Sequence, residues 1–263
     1  MGQPDRLIRA ANVLSDVLEP MRFQGPVTHV YNPLRHAGRG YRRYLRRFAE
    51  GTKRVVFLGM NPGPYGMTQT GVPFGEIASV RDWMGIEEKI DRPDNEHPKR
   101  PVDGFACTRG EVSGARVWGA IAEHWGAPEA FFADHFISNY CPLVFMEESG
   151  RNRTPDKLSV SERKGLYAAC DAHLIRVIQI LEPEWVVGIG AFAEARARLV
   201  LEDHPDFNLK FGRVLHPSPA SPKANRNWAG EAAKELRALG LCPKTSGRRK
   251  KTPRKATLKR NAK

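Results

Sequence analysis

Residues 55–76 read VVFLGMNPGPYGMTQTGVPFGE. The apolar run Val55, Val56, Phe57, Leu58 predicts a buried strand, taken to start at Arg54. The segment that follows, Gly59 to Glu76, packs five glycines and three prolines around one asparagine, Asn61. Proline fixes φ and removes a donor, while glycine permits positive φ and close approach. Pro62, Gly63, Pro64 and Gly66 are therefore expected to hold Met60, Asn61 and Phe74 in a set geometry around a small space. That is how a pocket wall is built, although an ordinary strand-to-helix connection can share the composition.

A second segment, HPSPASPKANRNW at 216–228, again follows a strand-like run, Phe211 to Leu215. Ligands of open α/β sheets bind at the carboxyl ends of the strands, so two loops leaving such ends can meet over one site, with Asn61 facing His216. Pro217, Pro219 and Pro222 stiffen the second loop, and Ser218, Ser221, Lys223, Asn225 and Arg226 supply donors suited to an anion. A lone histidine at a strand end also suits a purely structural role.

Farther out, helices are predicted near Pro4–Leu18, Tyr41–Phe48, Ala115–Trp125, Ser161–Leu181, Ala191–Glu202 and Ala224–Leu239. Strands are predicted at His135–Ile137, Trp185–Ile189 and Leu209–Leu215. Helices alternating with short β-rich runs imply an α/β fold, a three-layer α/β/α arrangement around a mostly parallel central sheet of about four strands. Residues 91–107, rich in proline and charge, read as a long surface loop. The 263 residues suffice for one sizeable domain. Net charge is +13, but ten lysines and arginines and no acid fall in residues 243–263, which leaves +3 for the rest. The division expected is a folded domain over 1–242 and a basic disordered tail over 243–263. The tail suits a sequence-independent tether to nucleic acid or a solubilising extension. Cys107, Cys141, Cys170 and Cys242 show no CxxC spacing and no flanking histidine cluster, so neither a metal nor a disulfide is expected. No apolar run approaches a membrane span, and the start MGQPDRLIRA has neither a secretory h-region nor a myristoylation pattern.

The two loops, together with VYNPL (30–34), EVSGARVWG (111–119) and SNYCPLVF (138–145), resemble the single-strand-selective monofunctional uracil-DNA glycosylase family, and the likeness runs from Val30 to Trp228. The resemblance implies an uracil-DNA glycosylase-like fold and a DNA repair enzyme that hydrolyses the N-glycosidic bond of uracil without lyase activity. It implies no cofactor, single- and double-stranded uracil-containing DNA as partner, a monomer, and a place in the nucleoid or nucleus rather than outside the cell. By resemblance Asn61 orients the attacking water, since an amide positions water but removes no proton at neutral pH. His216 donates to the uracil carbonyl beside the broken bond. Asn139 reads the base, its amide matching the N3–H and O4 edge that cytosine inverts. Phe74 stacks on the flipped ring. Gly63 leaves the C5 edge open, so that 5-hydroxymethyluracil fits, and Met60 and Met67 line the same wall. Residues Pro219 to Lys223 act as the wedge, within a DNA-binding loop that also includes Pro217, Ser218 and Arg226. In that wedge Pro219, Ala220, Ser221 and Pro222 precede Lys223, and Ala220 stands where the vertebrate pattern has arginine, which shifts the expected phosphate contacts to Lys223 and Arg226.

Other readings are a superfamily glycosylase acting mainly on deaminated purines, a non-catalytic DNA-binding protein whose function is its tail, and a nucleotide or phosphate hydrolase cradling an anion in Gly59–Gly71. Against the last, the P-loop ending in Lys-Ser/Thr is absent and prolines occupy positions where backbone donors are needed.

Overall fold

The apolar run at 55–58 is a central strand, with Val55, Val56 and Leu58 buried along its length. The structure, a computed structural model, describes residues 2–241. The basic segment 243–263 lies outside the described residues. The chain opens with α1 (Gln3–Leu18), β1 (Val27–Tyr31), α2 (Pro33–His36), α3 (Gly38–Phe48), β2 (Val55–Gly59) and α4 (Met67–Thr70). It continues through α5 (Val112–Trp125), α6 (Pro128–Phe132), β3 (His135–Asn139), β4 (Val144–Glu147) and β5 (Asn152–Arg153). The last elements are α7 (Val160–Leu181), β6 (Trp185–Ile189), α8 (Ala191–Leu201), β7 (Lys210–Val214) and α9 (Pro222–Ala238).

The main sheet has four parallel strands in the order β3-β2-β6-β7. This is the expected α/β architecture. Alternation along the strands sends Phe57, Ile137, Ile189 and Val214 to the face covered by α5 and α9. On the other face Gly188 lies against Glu194 of α8, and Phe136 packs on Tyr44 of α3. Helices are thus layered on both sides, as a parallel sheet requires. The longest helix, α7, starts at a capping box in which the Ser159 side chain and Glu162 satisfy each other's backbone donors. At the start of α9 the Ser221 hydroxyl accepts from Ala224 N–H, with Pro222 at the first helical position.

The sequence did not predict a second sheet. In it β1, β4 and β5 pair antiparallel in the order β1-β4-β5. Nor is segment 91–107 wholly a surface loop: His97 and Val102 are buried, and the Tyr31 hydroxyl on β1 donates to Arg100 O and accepts from His97 N–H. Polar composition concealed the anchoring.

Candidate active site

Register brings the site together. Gly59, the last residue of β2, pairs with Asn139, the last of β3. Two strands over, Val214 of β7 pairs with Ile189 of β6, placing His216 just beyond the same carboxyl edge. Gly59 is where close approach needs a bare Cα: a Cβ there would stand 2.5 Å from Asn139 Oδ1 and 2.8 Å from the Phe74 ring. The amide and the aromatic ring therefore converge over one strand end. Asn139 is buried, and its Nδ2 lies 3.5 Å from the Met67 sulfur. Phe74 is half-buried with φ +53°, a left-handed conformation unusual for a bulky side chain. Its carbonyl is received at Gly114 of α5, where any Cβ would clash with it.

Asn61 donates both amide hydrogens to main-chain carbonyls, Pro62 O at 3.2 Å and Leu143 O at 3.1 Å. Its Oδ1 is left as an acceptor with no hydrogen-bond partner among the described residues. Opposite, His216 Nδ1 accepts the Ser218 N–H at 3.1 Å. The ring proton of the neutral form is thereby assigned to Nε2, which becomes a donor. Burial holds the His216 pKa below its ordinary value, favouring that neutral form. The cleft occupies about 450 Å³ and is lined by Met60, Asn61, Gly63, Met67, Phe74, Asn139, His216 and Ser218 among others. The first seven of these are the expected catalytic and substrate-binding residues, and the structure brings all of them together.

The remainder of the expected DNA-binding loop divides. Pro219 and Ala220 are exposed at a turn, whereas Pro217 is buried. Pro222 and Lys223 already belong to α9, and Lys223 Nζ pairs with Glu231 at 2.8 Å; Arg226 is exposed on the same helix. The loop is held from outside. Arg116 of α5 donates to Pro217 O at 2.9 Å and to Asn225 Oδ1 at 2.8 Å, and Asn225 Nδ2 donates to Pro219 O.

Sequence reasoning missed several cleft residues. Asn152 and Thr154 come from the unpredicted second sheet and its exit. Glu111 and Ser113 lie inside the quoted EVSGARVWG motif but were given no role there. Glu111 caps α5, its Oε1 accepting Ser113 N–H at 3.1 Å, and burial raises its pKa. A titratable residue inside a motif already singled out was the available signal. No cluster of three or more His, Cys, Asp or Glu side chains suited to a metal exists among the described residues.

A family model, the uracil DNA glycosylase superfamily, matches residues 46–238, from the end of α3 to the end of α9. Single-strand selective monofunctional uracil DNA glycosylase of Bos taurus is 48% identical over 231 residues, 88% of this chain and 84% of the relative. The chain belongs to this family. The Rattus norvegicus protein of the same name is also 48% identical, over 88% of this chain and 82% of its own. The crystal structure of Pedobacter heparinus SMUG2 superposes with a TM-score of 0.68 at 18% identity, covering 91% of this chain and 97% of that one. At that identity the likeness shows the shared family fold. Of the motifs named from sequence, all but VYNPL fall within residues 46–238, and those that do supply every cleft-lining residue except Asn152 and Thr154.

Proposed function

We propose that the chain is a monofunctional DNA glycosylase that hydrolyses the N-glycosidic bond of uracil, and of 5-substituted uracil such as 5-hydroxymethyluracil, in single- and double-stranded DNA, leaving an abasic site. The observation that carries this reading is Asn61: both of its donors are occupied by carbonyls, so its amide offers only an acceptor. An acceptor of this kind orients a water hydrogen without removing a proton. The bond to the base then breaks ahead of water attack, and negative charge grows on the departing uracil. His216 Nε2–H is the donor that meets this charge at the carbonyl next to the bond, an oxyanion-type interaction strongest in the transition state. Asn139 recognises the N3–H and O4 edge, and Phe74 stacks on the ring once it leaves the helix.

A lyase forms a Schiff base through an amine. No lysine is among the described residues lining the cleft, which supports hydrolysis alone. The exposed Pro219–Ala220 turn is the part of the loop that enters the duplex, and its lack of a long side chain favours substrates whose base is already unpaired. The ten cations of residues 243–263 add affinity that does not depend on sequence. The protein acts as a monomer wherever DNA is kept.

The test is an assay of the purified full chain on uracil-containing single strands and duplexes, with chelator present. Free uracil and alkali-labile sites are expected, with neither strand scission before alkali nor a borohydride-trapped adduct. Intact substrate throughout overturns the reading. Ending the chain at Leu241 should flatten the dependence of log K on log salt by a few units, at about 0.9 for each phosphate no longer neutralised, and leave the choice of uracil over cytosine intact. An unaltered slope would make the tail a solubilising extension.

A further inference from the structure

Helices α1 and α7 lie antiparallel: the Gln3 side chain donates to Ile180 O at 2.9 Å near one end, and Met21, just beyond the other end of α1, lies against Gly165. An open groove of about 500 Å³ runs between them. On its α1 side Arg6, Arg9, Val13 and Val17 recur at spacings of three and four, along one helix face. Ala169 and Ala172 keep the α7 side low, and Arg176, one turn before Ile180, joins Arg6 and Arg9 at the Gln3 end. The groove is therefore cationic at one end and apolar at the other. Val13 is 59% exposed and Val17 47%, two branched side chains one turn apart that gain nothing from water. Among the described residues no carboxylate lines the groove, and none of its arginines is in a salt bridge. His173 also lines it: the residue is buried, its Nδ1 has no hydrogen-bond partner among the described residues, and burial pushes its pKa down to about 4. At neutral pH the charge in the groove is thus carried by the three arginines.

The groove is separate from the cleft. Helix α7 ends at Leu181, whose carbonyl receives Lys53 N–H just before β2, so the cationic end lies at the amino edge of the main sheet, whereas the loops of Asn61 and His216 leave its carboxyl edge. The two share no lining residue. Phosphates of a nucleic acid would satisfy the arginines but leave Val13 and Val17 uncovered. A second copy of the chain set groove to groove would place arginine against arginine, and the chain's own segment 243–263, with ten cations and no acid, is repelled. The complement of this surface carries carboxylates at one end and apolar side chains at the other. We propose that the α1–α7 groove docks an acidic amphipathic helix of another protein, its carboxylates on Arg6, Arg9 and Arg176 and its apolar side chains on Val13, Val17 and Ala172. Arg6 to Val17 spans about 16 Å of helix, the length of about three turns of such a partner. Because the groove and the cleft lie at opposite edges of the sheet, the partner is held without displacing what the cleft binds.

The probe is a display library of helical peptides about 14 residues long, enough for the three turns, selected on the full chain; the enriched peptide is then labelled and titrated by fluorescence anisotropy. Aspartate and glutamate are expected to be enriched toward one end and leucine, isoleucine or methionine toward the other, with binding that weakens as salt rises. Val13→Asp, and separately the pair Arg9→Glu and Arg176→Glu, should each weaken binding of that peptide about tenfold or more, whereas Leu199→Asp, at an exposed apolar position on α8, should change it less than about twofold. All four side chains are exposed, and an unchanged urea unfolding midpoint verifies that each variant is folded. No enrichment over the unselected library, or an enriched peptide that the groove variants bind as the wild type does, would overturn the proposal. So would evidence for another occupant. A loss of affinity for uracil-free duplex DNA in the arginine pair would reassign the groove to nucleic acid, binding of phosphatidylserine vesicles abolished by Val13→Asp would reassign it to a lipid surface, and wild-type dimers in sedimentation velocity that Val13→Asp dissociates would reassign it to a second copy of the chain.

Discussion

The two loops that face each other across the cleft are held by opposite means. The first, between β2 and α5, is scaffolded from within: Thr68, Gln69 and Thr70 are buried, and their side chains bond to Gly63 O, Pro64 O, Gly66 O and Gly75 O of the same loop. The second, between β7 and α9, has little interior of its own. Its carbonyls are taken by Arg116 and Asn225, and its flanking Leu215 is pinned by the Trp228 indole N–H and the Glu235 carboxylate. A loop with its own core is a rigid wall, and opening it amounts to local unfolding. A loop clamped from outside moves when the clamp is released. The side of the cleft built by the first loop is thus fixed, whereas the side built by the second is adjustable.

In the proposed mechanism each loop contributes one group to chemistry, and removing either should produce the largest effects. Asn61→Ala and His216→Leu are each expected to slow single-turnover base release by about 10²–10³-fold, the scale of deleting one transition-state hydrogen bond. Binding of uracil-containing DNA should change little, because both interactions strengthen only as the bond breaks. Near-wild-type release in both variants would mean that the loops meet over something other than the reacting bond.

Breaking the inner scaffold comes next. Gln69 donates to Pro64 O and Pro101 O and accepts from Asp103 and Gly104 N–H, so Gln69→Leu strands four main-chain groups, two of them buried. A loss of about 2–3 kcal/mol in urea unfolding is expected, on the usual cost of unsatisfied buried groups. A change under about 0.5 kcal/mol would show that the wall is not self-supporting. Releasing the outer clamp should behave differently. Arg116→Met is expected to cost about tenfold in base release, the scale of hydrogen bonds to a charged group, with a smaller change in unfolding midpoint than Gln69→Leu. Equal stability losses in the two variants would erase the distinction between the loops.

That distinction was only half legible in the sequence. The first loop announces itself because its prolines, glycines and Asn61 are contiguous, and the strand before it is a plain apolar run. The central strands could be read for the same reason: with both faces covered, residues such as Val55–Leu58 need no alternation. The second sheet could not. β1 mixes buried Val27 and Tyr31 with exposed Thr28 and half-buried His29, its register shifts at Val27/His29, and β5 is two residues long. Arg116 is an exposed-looking residue between alanine and valine, and its partners lie about a hundred positions away. Nothing local marks it as a clamp. Phe74 presents the same difficulty in its backbone: its left-handed φ depends on the carbonyl packing at Gly114, where two motifs that are separate in sequence meet.

The smallest effect expected distinguishes the loops by their response to acid. His216 is half-buried with its Nδ1 accepting Ser218 N–H, and desolvation lowers its pKa below the ordinary 6.5. Protonation makes Nδ1 a donor, so the imidazolium cannot keep that bond and the outer loop loses an internal tie. The sign follows from the direction of the shift. Between the depressed folded value and 6.5 the unfolded chain binds the proton and the folded chain does not, so this group subtracts stability as pH falls through that window and has no effect above it. Base release should therefore begin to fall at a lower pH than it would with an ordinary histidine. At pH 6.0 it should lose less than the about fourfold expected of an unperturbed histidine, which is already about three-quarters protonated there. Residues 59–76 of the first loop hold no histidine, and His36 Nε2, 2.9 Å from Thr68 O, is a donor in either protonation state, so the hydrogen bonds of that segment should not change over the same range. An NMR titration of the His216 ring, assigned by comparison with His216→Gln, gives the value directly. A midpoint at or above 6.5 would mean that the ring is better solvated than its half-buried place implies, and that the proposed donor to the base is the imidazolium.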